Sequence, residues 1–311
     1  MTNYFIAGGA GFIGSHLVDA LISRNRITVY DNLSSGKREF LARHRENPRL
    51  FFVRGDCGDV KRLRRAMAGH DTVIHLASNP DIARGMRETD LDLREGTILT
   101  YNVLEAMRRT GAKTLLYASG SGVYGDVGET PAAEDLGPLL PISLYGASKL
   151  AGEGLVSAFC HMFDLRAHIF RFANVVGARQ THGVGFDFIR KLKGNPRRLT
   201  ILGDGAQSKS YLHVSDAIAA MLMVRERARA RVNLFNVATG DYLEVSAIAR
   251  IVIEEMGLEG VELKYTGGDR GWKGDVPVVR FNLDKILALG WRPRCTSEAA
   301  IRLAAREMLG V

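Results

Sequence analysis

At 311 residues with 46% hydrophobic content, the chain can bury a large core and is longer than one ordinary α/β domain, so a large domain with a smaller lobe is expected. Its three cysteines, Cys57, Cys160 and Cys295, are far apart, odd in number and lack any Cys-x-x-Cys or Cys/His spacing, which argues against a disulfide framework or a metal site and for a reducing compartment. The net charge of +8 comes mostly from scattered arginines with no aromatic-interleaved basic patch, which favours solvated helix faces and attraction of an anionic nucleotide substrate over nucleic-acid binding.

No apolar run approaches the roughly 18 residues that a membrane helix needs, and Met1-Thr2-Asn3 leads straight into the first strand pattern. The expectation is a cytoplasmic protein that does not engage a membrane. Strand-like runs at 3–7, 27–30, 50–54, 72–76, 114–118, 167–171 and 233–237 alternate with helical patterns near 15–24, 59–68, 89–110 and 144–163. Short apolar strands separated by longer helices predict an α/β fold, a doubly wound parallel sheet of Rossmann type with its ligand crevice at the strands' C-terminal ends. After residue 174 glycine-rich loops break that rhythm, with helical patterns near 186–193, 215–228, 245–256 and 296–309. This predicts a Rossmann domain of residues 1–174 plus 211–238 and a smaller α/β lobe of 175–210 plus 239–311, the segment 211–238 returning to the large sheet.

Between the first strand and first helix stands Ala7-Gly8-Gly9-Ala10-Gly11-Phe12-Ile13-Gly14. Three glycines three apart permit a tight turn, close approach of a ligand and tight helix packing, with free N–H groups at a positive helix end suited to a pyrophosphate. The second strand ends in Asp31, seventeen residues past Gly14, where a carboxylate can accept both ribose hydroxyls of an adenosine. A 2′-phosphate there would meet an uncompensated carboxylate, which favours NAD over NADP; Lys37 and Arg38, six and seven residues later, are the nearest counter-charges. Farther on, Tyr145-Gly146-Ala147-Ser148-Lys149 opens a helix, and the four-residue spacing puts Tyr145 and Lys149 on one face. A phenol with a pKa near 10 is a poor base at neutral pH, and a neighbouring ammonium favours its ionised form.

Together with His75-Leu76-Ala77, Val123-Tyr124-Gly125, Arg171-Phe172-Ala173-Asn174 and Gly203-Asp204-Gly205, these segments run in the order found in one family. The chain resembles the extended short-chain dehydrogenase/reductases, and within them the nucleotide-sugar epimerases, closest to UDP-glucose/UDP-galactose 4-epimerases of galactose metabolism. The resemblance implies bound NAD: Gly8, Gly11, Phe12, Ile13 and Gly14 at the pyrophosphate, Asp31 and Asn32 at the adenosine ribose, Asp56 and Cys57 around adenine, and Leu76 and Ala77 beside the nicotinamide. It implies that Tyr145 exchanges the proton of the sugar 4-hydroxyl, that Lys149 holds the nicotinamide ribose, and that the UDP-sugar contacts include Asn174, Lys209, Arg270, Trp272, Asp275 and Val279. A homodimer through 89–110 and 144–163 is also implied.

Four positions depart from the family pattern. The usual Ser/Thr four residues before Tyr124 is Gly120, flanked by Ser119 and Ser121; Ser121 is the expected catalytic replacement, with Ser119 near the substrate, while both can equally cap the strand end. The arginine usual before Tyr-Ile-His is Lys209, which keeps the charge but loses the bidentate fork. The other usual phosphate arginine, three before Asp275, is Trp272, a residue able to stack on uracil or to pack within the lobe; Arg270 and Lys273 stand close by. The family's asparagine near the nicotinamide is absent from Glu95-Gly96-Thr97. Ser121 and Gly122 also stand where related dehydratases and decarboxylases carry acids, so epimerisation is the expected reaction. A nucleotide-sugar reductase and a non-catalytic NAD sensor are the alternatives.

Overall fold

The apolar runs form five strands in succession: β1 (Asn3–Ala7), β2 (Arg26–Asp31), β3 (Leu50–Arg54), β4 (Thr72–His75) and β5 (Thr114–Gly120). The structure is a computed structural model that describes residues 1–311. With the strands Arg166–Phe172 and Val232–Val237 these make one seven-stranded sheet, ordered 232–237, 166–172, β5, β4, β1, β2, β3. β1 is parallel to both neighbours, Ala7 standing opposite Tyr30 on one side and His75 on the other. The chain winds outward from β1 to β3, then crosses back to β4, so the winding reverses between β1 and β4. Ligands bind at such a reversal, outside the strands' C-terminal ends.

Helices cover both faces of this sheet, which is why its central strands are apolar throughout instead of alternating. Phe5, Ile6, Ile27, Val29, Val73 and Ile74 are fully buried. α1 (Phe12–Leu21), α2 (Val60–Met67), α3 (Leu99–Thr110) and α4 (Leu144–Phe163) follow the expected pattern closely. On one face Leu63, Met67, Val103, Met107 and Val156 pack with Phe5, Val73 and Leu115. The helix expected over 89–110 is interrupted, since a π turn over Leu93–Ile98 precedes α3.

The chain divides into two compact units, residues 1–120, 144–171 and 218–235 in the first, and 121–143, 172–217 and 236–311 in the second. Both boundaries differ from those expected. The segment 121–143 joins the second unit because Pro131–Ala132 pairs in parallel with Arg280–Phe281, and Glu129 holds Arg280 at 2.7 Å. Residues 211–213 do not return to the large sheet; they pair with Asn174–Val176, and only Val232–Val237 rejoins. The second unit has its own core, in which Phe188, Leu192, Ile248, Val252 and Ile301 from the helices Val184–Gly194, Val245–Glu255 and Ser297–Leu309 meet. No helix is long and apolar enough to cross a membrane.

Candidate active site

The glycine turn is built so that no side chain stands in it. Gly8 has φ +80°, donates its N–H to the Tyr30 carbonyl at 2.9 Å and accepts from the Gly11 N–H at 3.2 Å. A Cβ on Gly8 would lie 2.8 Å from the Ala77 nitrogen, and one on Gly14 would strike the Gly8 carbonyl oxygen. Gly11 caps α1 in an extended conformation, without a side-chain cap or an acid in the first turn. The N–H groups of Phe12, Ile13 and Gly14 therefore lack helical acceptors and face outward at the positive end of the helix dipole.

Asp31, 7% exposed, accepts the Ala10 N–H on one oxygen (2.9 Å) and the Leu33 N–H on the other (2.8 Å). Burial raises its pKa and those two bonds oppose the rise. Asn32 donates to Asp56 at 2.7 Å, while Tyr30 donates to the Asp56 carbonyl at 2.9 Å. Cys57 is buried, its thiol pushed up to about 12 by burial and by Asp56, so it offers backbone and shape without nucleophilicity. The Leu76 and Ala77 N–H groups both donate to the Ala7 carbonyl, which holds them beside the turn. This cradle, with its open amides, missing Cβ atoms and half-satisfied carboxylate, fits a dinucleotide.

α4 carries the expected pair, and both members lie in the same unit as the cradle. The Lys149 Nζ donates to the Ala118 carbonyl at 2.9 Å and stands 5.4 Å from the ring centres of Tyr145 and of Tyr117. Burial brings the Lys149 ammonium down to about 8, against the pull of Asp92 and Glu153. The Tyr145 phenol is pushed up to about 12 by burial and by Asp92, so its ionisation depends on the Lys149 ammonium together with the positive charge of a bound nicotinamide. His75 lies below, held neutral by burial and by Lys149, its pKa down to about 3. Thr100 donates to the Gly96 carbonyl at 2.7 Å, so His75 must donate from Nε2 to Thr100 at 3.1 Å, leaving Nδ1 unprotonated. Gly96 itself answers a packing need: a Cβ there would come 2.9 Å from the Ser148 Cβ.

The two serines around Gly120 are not equivalent. Ser119, 5% exposed, donates to Glu153 Oε1 at 2.6 Å, so its proton is committed away from a substrate. Ser121 opens the 3-10 turn Ser121–Tyr124 in the second unit. Sequence reasoning missed Glu153 and Asp92, two buried carboxylates that act on Lys149, and the part of Arg171, which pairs with Glu153. Glu153 alone had a readable signal, lying four residues beyond Lys149 and thus on its face of the helix.

In the second unit Lys209 pairs with Asp275 at 2.5 Å, and Arg270 binds Asp126 at 2.6 Å and the Asp275 carbonyl at 2.8 Å. Lys209, Arg270 and Asp275 are thus brought together, with both cations already paired. Trp272 packs over Gly274, whose φ is +90°, and Val279 is 4% exposed. Asn174 opens the strand Asn174–Val176 and takes the Ser210 carbonyl on its backbone N–H at 3.2 Å. Asp216, in the first turn of the helix Val214–Arg227, accepts the Arg294 and Cys295 N–H groups at 2.9 and 3.3 Å.

Comparison with known proteins bears on this arrangement. Residues 4–238 match the NAD dependent epimerase/dehydratase family. A putative UDP-glucose 4-epimerase of Methanocaldococcus jannaschii is 32% identical over 305 residues, 96% of this chain and 95% of its own length. A crystal structure of a UDP-galactose 4-epimerase is 39% identical with TM-score 0.87, covering 98% of each chain. The Thermus thermophilus UDP-glucose 4-epimerase, solved with NAD, is 31% identical with TM-score 0.88, covering 99% of each chain. The matched span includes the glycine turn, Asp31 and the helix bearing Tyr145 and Lys149, and this chain belongs to the NAD dependent epimerase/dehydratase family of enzymes, with NAD as its cofactor.

Proposed function

We propose that the chain is a UDP-hexose 4-epimerase that interconverts UDP-galactose and UDP-glucose through a transient 4-keto sugar. The observation that carries this reading is the fixed placement of Lys149 beneath Tyr145, by the Ala118 carbonyl bond, in the unit that holds the dinucleotide cradle. NAD, when bound, supplies a reversible hydride acceptor for C4 and a positive charge near the phenol. Tyr145 takes the proton from the sugar 4-hydroxyl and returns it after the keto sugar has presented its other face. Lys149 holds a ribose hydroxyl and favours the ionised phenol. Lys209 and Arg270 would meet the diphosphate, exchanging part of their pairing with Asp275 and Asp126 for phosphate oxygens.

Epimerisation is favoured over dehydration by Ser121 and Gly122, which leave no acid beside Gly120 to eliminate water from the sugar. A homodimer through α3 and α4 is part of the proposal, in keeping with Tyr101 and Met162, which are 46% and 71% exposed on these helices. The three free cysteines accord with a cytoplasmic location. The deciding experiment is a coupled assay on UDP-galactose. UDP-glucose formed without net NADH change supports the proposal; net cofactor oxidation marks a reductase, and absence of any turnover marks a binding protein.

A further inference from the structure

Glu153 is a buried carboxylate to which the reaction above gives no part. It lies one helical turn beyond Lys149 on the same face of α4 and is 7% exposed. Arg171, 2% exposed, donates to its Oε1 from Nε at 3.0 Å and to its Oε2 from Nη2 at 2.7 Å. Oε1 also accepts the Ser119 hydroxyl at 2.6 Å. Ser119 follows Ala118, whose carbonyl takes the Lys149 ammonium at 2.9 Å. Two adjacent residues of β5 are therefore tied to two residues of α4 one turn apart, Ala118 to Lys149 and Ser119 to Glu153. A fork of two charge-assisted bonds fixes Glu153 in one orientation.

Charge points the same way. The groups that face the Lys149 ammonium are Tyr145 and Glu153 from α4, Tyr117 from β5, His75 from β4 and Asp92 at the start of the π turn. His75 is neutral and the phenols are protonated at neutral pH. Only Asp92 and Glu153 bring negative charge to a cation that burial disfavours.

We infer that Glu153, clamped by Arg171, is a positioning residue for the proposed epimerisation: it fixes the end of β5 through Ser119 and keeps the Lys149 ammonium charged and in place beneath Tyr145. This rests on the proposed function for its catalytic consequence, while its structural part stands by itself. It also assigns the Ser119 hydroxyl to the clamp and away from the sugar.

The test is Glu153→Gln, which keeps size and an acceptor for Ser119 but removes the charge. Two quantities are read: the titration of Lys149, followed by NMR on protein with 13C-labelled lysine side chains and assigned with Lys149→Met, and the pH profile of UDP-galactose turnover. Lys149 should lose its proton about one pH unit lower than in the parent. The alkaline limb should move with it, and kcat at pH 8 should fall about fivefold, as the protonated fraction of Lys149 drops, with KM held within about twofold. An unchanged Lys149 titration with an unmoved limb overturns the inference. Where the parent turns over no UDP-sugar, the proposed function fails, and the titration still decides the structural part. If Glu153→Gln does not fold, Glu153→Asp decides: it should keep the titration and the limb while lowering kcat, because the shorter acid keeps its charge but loses the reach to Ser119. A Glu153→Asp enzyme with parental kcat and reduced melting temperature shows mere structural support and overturns the inference.

Discussion

Replacing Gly14 by alanine places one methyl group where the turn has no room. The new Cβ would strike the Gly8 carbonyl oxygen and lie 2.6 Å from Gly9 Cα, about 0.8 Å inside the 3.4 Å at which ordinary contact begins. Both obstacles are backbone, so α1 or the turn must move. Overpacking of this kind costs about 1–3 kcal/mol, a fall of roughly 2–5 °C in melting temperature for a chain of 311 residues. The atoms that move carry the amides facing the pyrophosphate, and a loss of about 1.4 kcal/mol in their interactions lowers NAD affinity about tenfold. NAD is read from extracts of heat-denatured protein and stability from calorimetry. The control is Gly194→Ala at the exposed last turn of the helix Val184–Gly194, where a Cβ would have nothing within 4 Å. It should stabilise the protein by about 0.5–1 kcal/mol with NAD unchanged. A Gly14→Ala protein that retains parental NAD and melts within a degree of the parent refutes the reasoning.

Tyr145→Phe removes the proton carrier while keeping the ring over Lys149, and should lower kcat by about 10²–10⁴-fold with NAD still bound; turnover within tenfold of the parent rejects Tyr145 as the acid/base. His75 and His168 are held at about 3 and about 4 by burial, so the unfolded chain binds protons that the folded one refuses between those values and 6.5. Their contribution to stability is complete above pH 6.5 and is lost as pH falls, so His168→Gln should show a shallower drop in melting temperature from pH 7 to pH 5 than the parent; equal slopes count against this. The family resemblance puts Val279 at the position that limits room near the sugar's C2, and its small side chain predicts that UDP-N-acetylglucosamine is also turned over; complete failure beside good turnover of UDP-galactose counts against this.

The sheet was legible because each of β1 to β5 is a short apolar run bounded by polar residues, and the cradle because Gly8, Gly11, Gly14 and Asp31 are spaced by the local geometry of one strand, one turn and one helix. Tyr145 and Lys149 were legible for the same reason, as a four-residue spacing is a contact on a helix. What escaped depends on pairings between distant segments. Nothing local in Pro131-Ala132 shows that it meets Arg280-Phe281, and this pairing carries 121–143 into the second unit. The charges of Lys209 and Arg270 were visible, but their pairing with Asp275 and Asp126 is a product of the fold. The π turn at Leu93–Ile98 left no sequence signal, since it uses the same residues as an ordinary helical turn.

The choice of NAD over its 2′-phosphorylated form shows how these levels combine. Sequence put a carboxylate at Asp31 and left Lys37 and Arg38 as possible compensating charges. In the structure the Lys37 ammonium stands 5.9 Å from the Phe40 ring centre, and the Arg38 guanidinium lies 5.1 Å from that of Phe52. Each cation has an aromatic face to rest on, and leaving it for a phosphate forfeits that contact. Asp31 is held in place, because the Ala10 and Leu33 N–H groups bind one oxygen each. A 2′-phosphate would therefore meet a fixed, buried negative charge. A pair of ribose hydroxyls meets instead a carboxylate with one acceptor direction free on each oxygen, so the discrimination resides in the backbone that orients Asp31 as much as in its charge.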